Sequence, residues 1–310
     1  MALPRPPVHP RRIAFLGTPE MAVAPLEALH AAGFDIALVV TGPDKRRGRG
    51  SSSSPTPVKL SALALGIPVS HDPADAAAVG ADTGVVVAYG RLLRRPLLEV
   101  LPMVNLHFSL LPRWRGAAPV ERALLAGDER TGVCVMGVEE ALDTGDVYAQ
   151  ADIAIRRTST VAELREQLTQ IGSELLVSTL RAGLSDPRPQ RGDTTYADKL
   201  TVEDLHLHWE QPVEQLDRVV RVGGAWTTFR GRRLKVHEAE PVDANDLPSA
   251  LVGAGPGCVD GAVVACGSGA LRLRTVQPEG KGRVDAGAWA NGARLAPGER
   301  LGDDPSDAAS

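Results

Sequence analysis

Three side chains of this sequence carry the means for acyl-transfer chemistry: Asn105 and His107 in the run Val104-Asn-Leu-His-Phe108, and Asp143 in Leu142-Asp-Thr-Gly-Asp146. On an extended strand, side chains two apart share a face. Asn105 and His107 can therefore reach one pocket while Leu106 points away. An amide N–H can hold a developing oxyanion, and loss of one such donor typically costs about 10²–10³ in rate. An α-amine has an ordinary pKa of about 8, so an attacking amine must shed a proton near neutrality. An imidazole and a carboxylate can take up or relay it. We expect Asn105 to bind the oxyanion and His107 to stabilise the same charge or share in proton transfer. Asp143 then orients His107 and accepts the amine proton, directly or through water.

Plainer readings compete. Asn-x-His at a strand end can be packing, and Asp143 can close an Asx turn. Asp146 reads as structural. Aspartic proteases also carry Asp-Thr-Gly, but they need two such segments in a β-rich fold. No metal-ligand spacing accompanies His107, so metal-assisted hydrolysis is disfavoured and no metal is expected.

The elements that must position these residues alternate. Arg12–Leu16 reads as a strand ending at Gly17-Thr-Pro, followed by a helix over Glu20–Ala32 and a strand over Ile36–Thr41. Gly42–Thr56 reads as a loop, rich in Gly, Pro, Ser and charge. A helix over Pro57–Leu65 and strands at Ile67–Val69, Val85–Ala88 and Val104–Phe108 follow. Val133–Val138 and Val147–Ile155 complete the strands, and Thr160–Ala182 has the apolar spacing of a long helix. This predicts an α/β, Rossmann-like doubly wound sheet. Gly17-Thr-Pro-Glu-Met-Ala is not a GxGxxG fingerprint, so a dinucleotide site is unsupported. After a helix near Pro212–Arg221, short strands at Thr228–Arg230, Arg233–Glu238, Gly257–Val264 and Leu271–Val276 give a small β-rich domain. The expected boundaries are a disordered leader (1–11), a catalytic domain (12–184), a linker (185–206), a C-terminal domain (207–301) and an acidic tail (302–310).

With 310 residues and 43% hydrophobic residues, the chain can bury one large core or two ordinary ones, and 4% aromatics suits a parallel α/β sheet better than a sandwich. Cys134, Cys258 and Cys266 are widely spaced, giving neither a zinc signature nor a disulfide framework. No apolar run is long enough to span a membrane, no signal-peptide core opens the chain, and a cytoplasmic location fits. The net charge of −4 hides two basic runs. One is Lys45-Arg46-Arg47-Gly-Arg49; the other holds Arg218, Arg221, Arg230, Arg232, Arg233 and Lys235 with no acidic residue between them. A basic run is often only a solvated face.

Further stretches match the same pattern as Asn105, His107 and Asp143. They are Ile13-Ala-Phe-Leu-Gly-Thr-Pro-Glu20, Gly48-Arg49-Gly50 with Pro57-Val-Lys59, Val85-Val-Val-Ala-Tyr-Gly90, and Ser109-Leu-Leu-Pro-Arg-Trp-Arg-Gly-Ala-Ala-Pro119. Tyr196-Ala-Asp-Lys-Leu200, Trp209, Gln277-Pro-Glu-Gly-Lys281 and Asn291-Gly292 extend it. From about Arg12 to about Leu301 the sequence resembles the folate-dependent formyltransferases, and within them the branch acting on methionine esterified to initiator tRNA. The resemblance implies 10-formyltetrahydrofolate as formyl donor and Asn105, His107 and Asp143 as catalytic residues. It implies a folate site at Val86, Val87, Ala88, Tyr89, Ser109, Leu110, Leu111, Pro112, Gly137 and Leu142. It also implies a C-terminal β-barrel of oligonucleotide-binding (OB) type, and a monomer. Methionyl initiator tRNA would be met by Arg46, Arg47 and Arg49 and by the basic run from Arg218 to Lys235. The sequence departs from the family at Ser51–Ser54, where lysines and an apolar residue are usual. Rival readings are a formyltransferase for a small amine, a formyltetrahydrofolate hydrolase, and a binding module in which the three residues only pack.

Overall fold

The computed structural model describes residues 3–46 and 53–302, as two units. The first comprises residues 1–123, 129–155 and 163–199. Its strands and helices follow in chain order: β1 (Arg12–Gly17), α1 (Val23–Ala31), β2 (Asp35–Val40), the two-residue strands β3 (Lys45–Arg46) and β4 (Ser53–Ser54), α2 (Pro57–Ala64), β5 (Val69–Ser70), α3 (Asp75–Ala78) and β6 (Thr83–Val87). After them come α4 (Arg95–Val100), β7 (Met103–His107), β8 (Arg115–Gly116), α5 (Pro119–Ala126), β9 (Arg130–Gly137), β10 (Val147–Ala154), α6 (Val161–Ala182) and β11 (Tyr196–Ala197).

The main sheet has seven strands in the order β10-β9-β7-β6-β1-β2-β5. β7, β6, β1, β2 and β5 are parallel, and β9 and β10 extend the sheet as an antiparallel hairpin. The runs Ile13–Leu16 and Val85–Val87 are almost wholly buried, as strands covered on both faces must be. Strand order reverses between β1 and β6, and in such sheets ligands bind outside the carboxyl ends of the strands at that point. Gly17 is required there: a Cβ would stand 2.8 Å from the side chains of Ala22 and Phe15. The helix expected at Thr160–Ala182 forms over Val161–Ala182, burying Val161, Leu164, Leu168, Leu176 and Leu180. A Cβ on Gly172 would lie 3.1 Å from Leu106, so the missing side chain lets the helix come down on β7. Leu106, 1% exposed, fills that contact, and its burial is worth about 2 kcal/mol.

Several expectations need correction. Residues 3–11 are ordered against the first unit rather than forming a disordered leader. Leu3 packs on the cluster around Leu16 and Met103, the Leu184 N–H donates to the Val8 carbonyl at 2.7 Å, and the Arg11 N–H donates to Asp82 at 2.9 Å. The stretch read as one loop, Gly42–Thr56, contains the antiparallel pair β3–β4 (Lys45 opposite Ser54, Arg46 opposite Ser53). The expected linker belongs largely to the first unit, which runs to Lys199: β11 pairs in parallel with β8.

The second unit comprises residues 124–128, 156–162 and 200–310. It holds α7 (Val213–Val222), β12 (Trp226–Phe229), β13 (Arg232–Pro241), β14 (Val259–Asp260), β15 (Val263–Ala265), β16 (Ala270–Pro278), β17 (Val284–Asp285) and α8 (Ala286–Ala293). It is a curled antiparallel sheet in the order β12-β13-β16-β15-β14, with β17 on β16. Among the described residues its end strands β12 and β14 do not pair, so the expected barrel is open. Leu216, Leu234, Val236, Leu271 and Val276 centre its core, and Trp209 joins them, its Nε1 donating to Thr227 Oγ1 at 3.0 Å. Arg230 and Gly231, at φ +50° and +70°, make the two-residue turn between β12 and β13. Gly302, the first residue of the expected tail, donates its N–H to the Thr228 carbonyl at 2.9 Å; residues 303–310 lie outside the described residues. Cys134 and Cys266 are buried, and burial pushes their thiols up to about 11 and about 12; Cys258 is half-buried.

Candidate active site

β7 delivers Asn105 and His107 to the carboxyl end of the sheet, where Asn105 is in register with Val86 of β6 and His107 with Cys134 of β9. Asp143 comes from the connection between β9 and β10. That connection is closed tightly at its base: the Gly137 N–H donates to the Asp146 carbonyl at 2.9 Å, and a Cβ on Gly145 would sit 1.9 Å from the Gly137 oxygen. Only glycine fits there. Asp143 itself is left-handed (φ +51°), a conformation that Asp tolerates better than most residues. A second Asp-Thr-Gly, Asp82–Gly84, serves elsewhere, its carboxylate accepting the Arg11 and Arg12 N–H groups.

The three residues form one cluster. Asp143 Oδ2 lies 3.6 Å from His107 Nδ1, and Asp143 Oδ1 accepts from Asn105 Nδ2 at 3.5 Å. Oδ2 also accepts the Gly116 N–H at 2.8 Å. His107, 5% exposed, donates from Nε2 to the Trp114 carbonyl at 2.9 Å. Because a carbonyl only accepts, that contact puts a proton on Nε2 and leaves the Nδ1 edge toward Asp143 to exchange one. Trp114 is held at φ +64°, costly for a bulky residue. Its N–H is fastened by Thr195 Oγ1 at 2.9 Å, and Ser109 Oγ donates to the Arg113 carbonyl at 2.6 Å, closing the same turn. Gly116 (φ +128°) lies against β11, where a Cβ would meet the Ala197 carbonyl at 2.7 Å.

Sequence reasoning missed Gln190. Its Nε2 donates to the carbonyls of Asp143 and Gly145, both at 2.8 Å, and its Oε1 accepts from Arg115 Nε and Nη2 at 3.1 and 2.6 Å. Gln190 thereby clamps the Asp143 turn to the segment carrying Gly116. It lies in the polar, Pro-rich stretch read as linker, and no local signal marks it. Asp146 closes the turn with its carbonyl, and its carboxylate lies 3.7 Å from Arg5.

The residues read as a folate site divide by exposure. Val86 and Val87 end β6 and Tyr89 follows it, all three with buried side chains, and Ala88 between them is left-handed at φ +45°, so this stretch offers backbone groups. Ser109 and Leu111 are buried, Pro112 is buried, and Leu110 reaches Gly132. Leu142 stands out: it is apolar, adjoins Asp143 and is 54% exposed. Among the described residues, no cluster of metal-ligating side chains includes His107.

The basic residues divide as well. Arg221 pairs with Asp217 at 2.7 Å and donates to the Ser159 carbonyl at 2.8 Å; the side chains of the pair are only 13% and 12% exposed. Arg218 donates to the Leu125 carbonyl at 3.1 Å, and Arg230 pairs with Glu299 at 2.5 Å over the Phe229 ring. Arg232, Arg233 and Lys235 are exposed on β13, Arg233 lying 4.0 Å over Trp226. Arg46 falls in β3, while Arg47 and Arg49 lie outside the described residues.

Residues 11–180 match the family model for formyl transferase, and residues 199–294 that for the formyl transferase C-terminal domain. The methionyl-tRNA formyltransferase of Symbiobacterium thermophilum is 43% identical over 94% of this chain and 95% of its own. That of Streptomyces coelicolor is 44% identical over 94% of this chain and 100% of its own. In fold, the methionyl-tRNA formyltransferase of Clostridium thermocellum superposes with a TM-score of 0.55 at 15% identity, over 76% of this chain and 95% of that one. Such identity over nearly the whole length, with both domain models matched in order, places the chain in the formyl transferase family, among its methionyl-tRNA formyltransferases.

Proposed function

We propose that the chain transfers the formyl group of 10-formyltetrahydrofolate to the α-amine of methionyl-tRNA, the initiator species being its substrate. The observation that carries the mechanism is the convergence of Asn105, His107 and Asp143 at the carboxyl end of β7, with Asp143 Oδ2 3.6 Å from His107 Nδ1. Asn105 Nδ2 offers a donor to the oxygen that gains charge as the amine adds. Asp143 and the Nδ1 edge of His107 accept the amine proton. The Nε2 contact with Trp114 keeps the imidazole from turning, so the proton-accepting edge stays aimed at Asp143.

The residues present fit a flat, hydrogen-bonding pterin. The backbone of Val86–Tyr89, with Ala88 out of the strand conformation, offers groups for its polar edge, and exposed Leu142 offers an apolar surface beside Asp143. When bound, the folate supplies the activated formyl group. Gly137 and the turn Ser109–Pro112 complete the neighbourhood.

Arg232, Arg233 and Lys235 are the C-terminal residues best disposed for tRNA phosphates, with Arg46, Arg47 and Arg49 serving the acceptor end. Arg218, Arg221 and Arg230 support the fold instead. The protein acts in the cytoplasm as a monomer; among the described residues no helix is long and apolar enough to cross a membrane.

The test is formylation of methionyl initiator tRNA with 10-formyltetrahydrofolate beside free methionine and methionyl elongator tRNA. Rapid product on the initiator tRNA alone is expected. No product on any of the three, with folate still bound, would move the assignment to a small-amine formyltransferase or a hydrolase.

A further inference from the structure

The second unit contains a segment whose chemistry the formyl-transfer reading does not use, Glu203-Asp-Leu-His206-Leu-His208-Trp209. Glu203–Leu205 form a single 3-10 turn, closed by the His206 N–H on the Glu203 carbonyl at 3.0 Å, and His206 then runs extended (φ −75°, ψ 133°). The Leu207 N–H donates to the Trp226 carbonyl at 2.8 Å, and the Leu207 side chain is fully buried in the core. Side chains alternate along extended backbone. The two imidazoles therefore leave together on the side away from Leu207, and the turn brings Glu203 back to them. Glu203 Oε1 lies 2.9 Å from His208 Nε2 and 3.6 Å from His206 Nδ1, and the two rings are 4.4 Å apart.

We propose that Glu203, His206 and His208 bind a divalent first-row transition-metal ion, zinc foremost, through Oε1, Nδ1 and Nε2. Two imidazoles and a carboxylate are a zinc ligand set that leaves a fourth position for water. With metal–ligand bonds of about 2.0–2.1 Å, tetrahedral ligands stand about 3.3 Å apart; the two separations to Glu203 bracket that value. The site is built before any ion arrives. His206 is stacked on Trp226 at 4.1 Å and 16°, and Trp226 is anchored by its Nε1 donating to the Val202 carbonyl at 2.9 Å. Glu203 and His208 are 68% and 48% exposed in their side chains, so the ion has a path in. The ion would cross-link the turn to the extended segment that seats Leu207 and Trp209.

The competing explanation is a carboxylate hydrogen-bonded to histidine, with no ion. Untagged full-length protein, stripped with a chelator, is titrated with Zn²⁺ by calorimetry and with Co²⁺ by visible absorption. One equivalent of each ion, with the intense absorption of four-coordinate Co²⁺ and a higher melting temperature, is expected. Glu203→Gln and His208→Ala, both at exposed positions, should each lower affinity about 100-fold or more, since even outer-shell changes cost 10–100-fold. His237→Ala should bind as the parent does. Absence of stoichiometric binding overturns the proposal, and so does binding that survives in the Glu203→Gln/His208→Ala double variant while both proteins keep the same far-UV spectrum.

Discussion

The cluster proposed as catalytic and the basic run of the second unit were both read from residue type and spacing, and they behave differently in three dimensions. Asn105, His107 and Asp143 meet within hydrogen-bonding or near hydrogen-bonding distance. The basic residues separate into Arg218, Arg221 and Arg230, which hold other parts of the second unit, and Arg232, Arg233 and Lys235, which face outward. Strand geometry accounts for the first result. A period of two fixes which side chains share a face, and β7 has a helix on its other side to take Leu106. A run of charge carries no such constraint. An arginine is long enough to turn back to a carbonyl or carboxylate, and on α7 the buried Asp217, one helical turn before Arg221, requires a partner.

The sharpest test of this contrast lies in the first region. Asn105→Ala should lower kcat by about 10²–10³ and leave folate binding in place, measured by single-turnover formylation and by fluorescence titration. A variant that keeps full turnover would make Asn105 a packing residue. Next in size, Arg221→Ala strands Asp217 in a buried setting and should cost about 3 kcal/mol, read from denaturant melts, with tRNA affinity intact once folding is secured. Gln190→Leu removes the clamp on the Asp143 turn. Roughly a tenfold loss in kcat with little change in folate affinity is expected; an equal loss in both would assign Gln190 to binding. The smallest effect per residue belongs to the outward charges. Arg232→Glu with Arg233→Glu should weaken tRNA binding and flatten its dependence on log salt by about 0.7–0.9 per contact removed, while folate binding stays as it was. Unchanged tRNA affinity in that pair would leave β13 as an ordinary solvated strand.

What was legible follows the same physics. The parallel strands could be read because burial on both faces makes them short continuous apolar runs, and the long helix α6 and the face shared by Asn105 and His107 because helix and strand each impose a period on the sequence. β8 and β11 could not, since two-residue strands are too short to show one, and pairing between Arg115–Gly116 and Tyr196–Ala197 depends on chain that returns from far away. Gln190 was hidden for a related reason: its partners are backbone carbonyls, which leave no mark in residue type. The leader misled through composition. Its prolines argue against a helix, not against order, and residues 3–11 lie against the first unit without one.

The pairing of β11 with β8 also bears on how this protein can be divided. A fragment cut at Leu184, just past the end of the long helix and where the sequence suggests a boundary, would retain Asn105, His107 and Asp143. It would lose Gln190, Thr195 and Ala197, the groups that fasten Asp143, Trp114 and the 117–118 backbone N–H groups. The first unit, with the site's own supports, runs to Lys199, and a protease nick between those two points would leave the three proposed catalytic side chains in the fragment without the segment that aims them.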